Sequence, residues 1–244
     1  KPTVGAWSWG ADNQSVTFRP QTYWPANSKI KVAAALKGVE IAPGIYGERD
    51  MKAGFKTGAA MVSTVDANTL TMTVRKNGKV IRKIPVTTGK SGFETRSGIK
   101  PIMGKEGTVV MDAASGGTPV GSADYYRLTV HYSMRLTSSG EFVHAAPWST
   151  GSQGRSSVSH GCVGMSTGNA IWLYDQSKVG DVVEVKNTGR KQDLGNGITE
   201  WNVKWAKWLA RSKTGEQAVG PEPAAAKPAP APAPAVATVS VKRS

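Results

Sequence analysis

The chain has 244 residues, 39% of them hydrophobic, enough for one large or two smaller domains around a buried core. Its 31 Lys+Arg against 17 Asp+Glu give a formal charge of +14, which points to an anionic partner: nucleic acid, a membrane surface, or an acidic polymer such as bacterial cell wall. No apolar run is long enough to span a bilayer, no nucleic-acid motif accompanies the scattered cations, and the single cysteine excludes an intrachain disulfide. The chain opens on Lys1-Pro2-Thr3-Val4 with no visible signal peptide, so it reads as a mature or truncated product.

Residues 1 to about 60 read as all-β. Trp7, Trp9, Val16, Phe18, Tyr23 and Trp24 are spaced by turn residues such as Asp12-Asn13 and Pro25-Ala26-Asn27, and Ile30-Lys31-Val32 is a further short strand. Gly44 to Arg49 is a loop signal. Alternation over Thr69–Arg75 and a β-rich run over Val80–Val86, joined by Asn77-Gly78, predict a two-residue hairpin. Further strands are expected over Thr108–Met111, Arg127–Tyr132 and Glu141–Val143. The small residues between Asp112 and Tyr126 form either a lid or a plain connection. A helix capped by Ser166 or Thr167 should turn Ala170, Ile171, Leu173 and Tyr174 inward, and Asp181–Val185 should close the sheet. Trp201, Trp205 and Trp208 share one face of a C-terminal helix that would dock on the parent domain. From Glu216 the alternating Pro and Ala predict an extended tail.

The chemistry concentrates in two places. His144 ends the apolar run Phe142-Val143, and Cys162 follows eighteen residues later in Ser159-His160-Gly161-Cys162-Val163. A cysteine becomes a competent nucleophile when a neighbouring imidazolium stabilises its thiolate, and a strand end would hold His144 rigidly for that purpose. Gly161 lets the backbone turn its N–H groups towards an oxyanion, an effect of about 3–4 kcal/mol per donor. His160 either donates to the substrate or hydrogen-bonds its neighbours while contributing backbone, and the second reading is preferred. His131, in mid-strand, reads as structural. Neither a metal nor another cofactor is expected, because His144, His160 and Cys162 have no evident fourth ligand.

At these residues the chain resembles the L,D-transpeptidases with a YkuD-type catalytic domain. His144, a Gly/Ser-rich gap and Ser159-His160-Gly161-Cys162 match the family pattern. His144-x-Ala146-Pro147-Trp148-Ser149 and Asn169-Ala170-x-Trp172-Leu173-Tyr174-Asp175 are similar to the mycobacterial-type members. The resemblance implies a mainly β protein: an N-terminally truncated immunoglobulin-like β-sandwich over 1–60, and a mostly β catalytic domain with a short helix over 61–187. A Trp-rich segment packed on the catalytic domain over 188–215 and a disordered Pro/Ala tail over 216–244 would follow. It further implies an extracytoplasmic protein, in the cell wall or on the outer face of the plasma membrane, with any membrane anchor outside these residues. Cys162 and His144 would join peptidoglycan stem peptides through a thioester, with release of D-Ala. His160 and Gly161 would complete the catalytic turn, and Tyr126, Ser139, Ser159, Trp148 and Met111 would contact substrate. Carbapenem β-lactams would acylate Cys162.

Three residues depart from the family pattern: Gly164 where Asn or Arg is usual, Ala145 where a serine commonly follows the histidine, and Gly116 where a lid tyrosine stands. The alternatives are an L,D-carboxypeptidase acting on tetrapeptide stems and an inactive cell-wall-binding homologue. A papain-like peptidase fits less well, because its cysteine precedes its histidine and opens a long helix.

Overall fold

A computed structural model describes residues 2–10, 13 and 15–220. Asp12 of the expected Asp12-Asn13 turn and the Pro/Ala tail beyond Gly220 lie outside the described residues. The chain forms two compact units, one up to Ala59 and again from Val203, the other Ala60–Asn202.

The first unit begins with β1 (Thr3–Trp9), β2 (Val16–Pro20), β3 (Lys29–Ala34), β4 (Glu40–Ala42), β5 (Ile45–Tyr46) and β6 (Met51–Lys56). β1 pairs antiparallel with β2, and β3 with β6, as two separate sheets. Aromatic side chains run through this unit: Trp7 against Phe18 at 5.3 Å between ring centroids, Phe18 against Trp24 at 5.6 Å, and Trp24 against Phe55 at 5.8 Å. Edge and offset contacts of this kind supply sandwich cores with large apolar area. The loop expected at Gly44–Arg49 is partly strand, since β5 folds back on β4.

The second unit contains β7 (Met61–Asp66), β8 (Thr71–Lys76), β9 (Lys79–Pro85), β10 (Gly98–Pro101), β11 (Gly104–Asp112), β12 (Arg127–Arg135), β13 (Phe142–Ala145), β14 (Val163–Met165), helix α1 (Thr167–Gln176) and β15 (Val182–Lys186). Its sheets have the orders β10-β15-β7-β8-β9 and β11-β12-β13-β14. The predicted hairpin forms as expected. Lys76 pairs with Lys79, and Asn77 and Gly78 take φ of 50° and 79°, the left-handed pair that a two-residue turn requires. Both sheets contribute to one core, with Val65, Met72, Val74 and Ile84 from the first and Met134, Val143, Val163 and Met165 from the second. Ser166 caps α1, its hydroxyl accepting from the Asn169 amide. Ala170 and Leu173 point into the core and Tyr174 packs partly against it, whereas Ile171, expected inward, is exposed.

The chain then passes through α2 (Trp205–Leu209) to β16 (Gln217–Val219), which pairs antiparallel with β1. The Trp-rich segment was expected to dock on the catalytic domain, and the structure divides it. Trp201 lies in a 3₁₀ turn of the second unit, while Trp205 and Trp208 belong to the first. The buried Trp208 donates its indole N–H to the Ala6 carbonyl at 2.9 Å and lies 4.9 Å beneath the Arg19 guanidinium. Tryptophan spacing fixes a helix face but not the surface that face meets. Residues 217–219, assigned to the tail, are strand because the edge of β1 offers them a partner. Trp208→Ala should lower the stability of the first unit by about 3–5 kcal/mol in denaturant titration, through lost burial and an orphaned Ala6 carbonyl.

Candidate active site

β13 and β14 run parallel, with His144 opposite Gly164. That register brings the strand carrying His144 beside the strand that Cys162 introduces. The intervening loop is stitched to the chain after β9. Thr87 and Gly164 exchange both backbone hydrogen bonds at 2.9 and 3.0 Å, the Ser159 amide donates to Thr88 O, and the Lys90 amide donates to Ser159 O. The Thr87 hydroxyl donates to Ser156 O at 2.9 Å and accepts from the Val158 amide at 3.0 Å.

Cys162 is 7% exposed, and its Sγ lies 3.8 Å from Gly140 O and 4.0 Å from Met111 Sδ. Gly161 takes φ of 116°, a conformation that side chains rarely adopt, and so sets the turn. Its amide donates to Ser159 Oγ at 3.2 Å, and Ser159 Oγ donates to Cys162 O at 2.6 Å. The Gly161 N–H, expected to face an oxyanion, is thus engaged within its own turn.

His144 Nδ1 sits 2.7 Å from Ala145 O. A carbonyl can only accept, so Nδ1 carries the proton and Nε2 keeps its lone pair. Alanine at position 145, where the family commonly has serine, thus still supplies this contact through its backbone. Trp148 stacks on the imidazole at 6.0 Å and 27°.

A cavity of about 350 Å³ is lined by Cys162, His144, His160, Tyr126, Trp148, Met111 and Ser159, with Thr87, Ser149 and Gly164 among the rest of its wall. Seven of the nine expected site residues meet there. Gly161 and Ser139 do not line it. Ser139 is exposed, its hydroxyl accepting from Asn196 Nδ2 at 2.9 Å and lying 3.3 Å from Thr137 Oγ1. His160 packs between Phe93 and Tyr126 at 4.4 and 4.8 Å, with Nε2 3.7 Å from Asp124 Oδ1, beyond hydrogen-bond reach. Asp124 is in turn held by Lys90, which ties the 112–126 segment to the chain after β9.

Burial pushes the Cys162 thiol up to about 12 and depresses the His144 imidazole. The resting pair is thus neutral thiol and neutral imidazole, not the preformed thiolate–imidazolium pair expected from sequence. Burial also lowers the His160 imidazole, and it raises the Tyr126 phenol, which keeps its proton.

Sequence reasoning missed Thr87, Ser149 and Ser152 on the cavity wall, since nothing in their spacing signals chemistry. It also missed a buried charge cluster behind the cysteine turn, in which Glu141 bridges Lys100 and Arg96. The departure at Gly164 has a packing cause: a Cβ there would meet Ala146 Cβ at 3.0 Å and Thr87 Cγ2 at 3.1 Å.

A thiol and a neutral imidazole thus line one cavity on a mostly β scaffold, residue types suited to nucleophilic chemistry. Residues 60–185 match the YkuD family model, described as the L,D-transpeptidase catalytic domain, and residues 1–40 match a bacterial Ig domain. L,D-transpeptidase 2 of Mycobacterium tuberculosis is 38% identical over 210 residues, covering 86% of this chain and 51% of that protein. The solved structure of LD transpeptidase LdtMt1 in complex with imipenem is similar with a TM-score of 0.64 and 40% identity, over 75% of this chain and 78% of that one. L,D-transpeptidase 3 of Mycobacterium tuberculosis in complex with a faropenem-derived adduct gives 0.62 and 32%, over 76% and 78%. The chain belongs to the YkuD family of L,D-transpeptidase catalytic domains, and it spans about half the length of the curated relative above.

Two outcomes follow from this geometry. Iodoacetamide should alkylate Cys162 slowly at neutral pH, with a rate that climbs towards pH of about 12 instead of levelling at the ordinary thiol value. Gly164→Asn should cost about 1–3 kcal/mol in thermal unfolding, because Ala146 and Thr87 must move to admit the side chain.

Proposed function

We propose that this chain carries out acyl transfer between peptidoglycan stem peptides, forming 3→3 cross-links through a thioester on Cys162. One observation carries the reading. Cys162 and a His144 whose tautomer is fixed by Ala145 O line the same cavity, in a chain of this family. The thiol attacks the carbonyl of the third stem residue as His144 Nε2 takes its proton. Collapse of the tetrahedral adduct breaks the peptide bond, and the imidazolium returns the proton to the departing D-Ala amine. The acceptor amine then attacks the thioester, giving its proton to His144, and the thiolate leaves and is reprotonated.

Tyr126 is suited to donate to the oxyanion because burial keeps its hydroxyl protonated. Amides of the Gly161–Cys162 turn are further donors once the Ser159 contact lengthens. Trp148, Met111 and Ser159 would shape the donor site, and His160 acts through its packing on Tyr126. Ser139, turned towards Asn196, would need to rotate to reach substrate. The surplus of cations suits a wall rich in carboxylates and phosphates. Action outside the cytoplasm follows from the substrate, and no helix among the described residues is long and apolar enough to cross a membrane. The β-lactams seen in the relatives' structures would acylate the same thiol.

Intact-protein mass spectrometry after imipenem exposure should show one covalent adduct on the native chain and none on Cys162→Ala; no adduct on the native chain defeats the nucleophile assignment. Incubation with tetrapeptide stems should yield cross-linked dimers, whereas release of D-Ala alone would assign a carboxypeptidase. Because the neutral form of His144 persists to lower pH than an ordinary imidazole, acylation should hold through mildly acidic pH. It should fall only where His144 gains its proton, measurable as a pH–rate profile.

A further inference from the structure

Behind the cysteine turn lies a carboxylate that the acyl-transfer steps do not use. Glu141 has a 6% exposed side chain, and its Oε2 accepts from the Lys100 ammonium at 2.6 Å, itself 1% exposed. Its Oε1 accepts from Arg96 Nη1 at 3.0 Å and from the Arg96 amide at 3.1 Å, and Arg96 Nε donates on to Asp193 at 2.7 Å. Its own amide donates to Thr137 Oγ1 at 2.9 Å, and its carbonyl accepts from the Leu136 amide at 2.8 Å. One side chain thus ties β10, the segment before it and the β12–β13 turn together.

Taking two charges out of water is costly, and a buried pair is often no more stabilising than apolar residues of the same volume. Its position suggests what it does. A Cβ placed on Gly161 would lie 3.7 Å from both Cγ and Oε1 of Glu141, so the carboxylate forms the floor under the nucleophile's turn. The residues on either side of Glu141 lie by the cysteine. Gly140 O is 3.8 Å from Sγ, and Phe142 packs in the same buried cluster as Cys162. Three residues after Glu141, β13 presents His144.

We propose that Glu141, clamped by Lys100 and Arg96, is a positioning residue that sets the cysteine turn and the histidine strand relative to one another. The proposal rests on the acyl-transfer reading and adds to it the part that aligns nucleophile and base. A clamp with both carboxylate oxygens occupied cannot swing, so the turn above it cannot drift from the productive geometry. Misplacement of about 1 Å at such a site costs about a hundredfold in rate.

The charged and titratable groups facing Cys162 are Glu141 and His144 from the strand side, Lys100 from β10, Tyr126 from the segment above, and His160 from its own loop. Arg96 stands behind Glu141. Of these, Glu141 disfavours the thiolate more than Lys100 favours it.

The test compares the native chain with Glu141→Gln and with the double variant Lys100→Met/Glu141→Gln, which leaves no buried ammonium without its anion and so protects folding. Thermal melting, iodoacetamide alkylation against pH, and the concentration dependence of imipenem acylation are measured on each. In the double variant, native-like melting with unchanged imipenem binding and an acylation step about tenfold slower is expected. In Glu141→Gln, alkylation should rise about tenfold at fixed pH, a fall of one unit in the thiol's apparent pKa, while acylation slows. A folded double variant with a native acylation step overturns the proposal. If the native chain takes no imipenem at all, the functional reading fails, and alkylation of the folded double variant, which loses both charges, decides: a native rate overturns the positioning role, and an altered one supports it.

Discussion

The parallel pairing of β13 with β14 spans only three residue pairs, Val143 with Val163, His144 with Gly164, and Ala145 with Met165, yet the site depends on it. Parallel neighbours need a long crossover, here the loop from Ala146 to Cys162, and so short a ladder cannot hold such a loop by itself. The loop is held because Thr87, Thr88 and Lys90 take up its backbone groups from the opposite side. The cysteine turn is therefore clasped between two segments remote in sequence, and its position is as rigid as theirs.

Burial governs the chemistry of that turn. A thiol and an imidazole enclosed together both prefer their neutral forms, so the proposed acyl transfer would begin with the thiol proton passing to His144. The Ala145 carbonyl decides which nitrogen receives it. The same low polarity makes charge behind the site expensive, and the clamped Glu141 with its two cations is consistent with a positioning purpose.

Gly164 shows how packing can reinterpret a departure from a family pattern. In sequence it is a missing polar side chain. In the structure the space such a side chain needs is filled by Ala146 and Thr87, both of which line the cavity with it. The wall at this point is therefore apolar methyl surface, and Tyr126 and Trp148 line the cavity elsewhere.

The sequence by itself determined the local features: the Asn77-Gly78 hairpin, the Ser166 cap, the strands that flank the site, and the histidine and cysteine, His144 and Cys162, that line one cavity. Each depends on backbone preferences or side-chain chemistry expressed within a few residues, or on a motif whose residue types serve one kind of reaction. Tertiary structure alone decided which surface the tryptophans meet, that Ile171 faces out, that Ser139 turns to Asn196, and that Lys100 points inward to Glu141. It also decided that cysteine and histidine rest uncharged. These properties belong to pairs of segments far apart in the chain, and the free energy of burial that sets them depends on the partner and not on the residue.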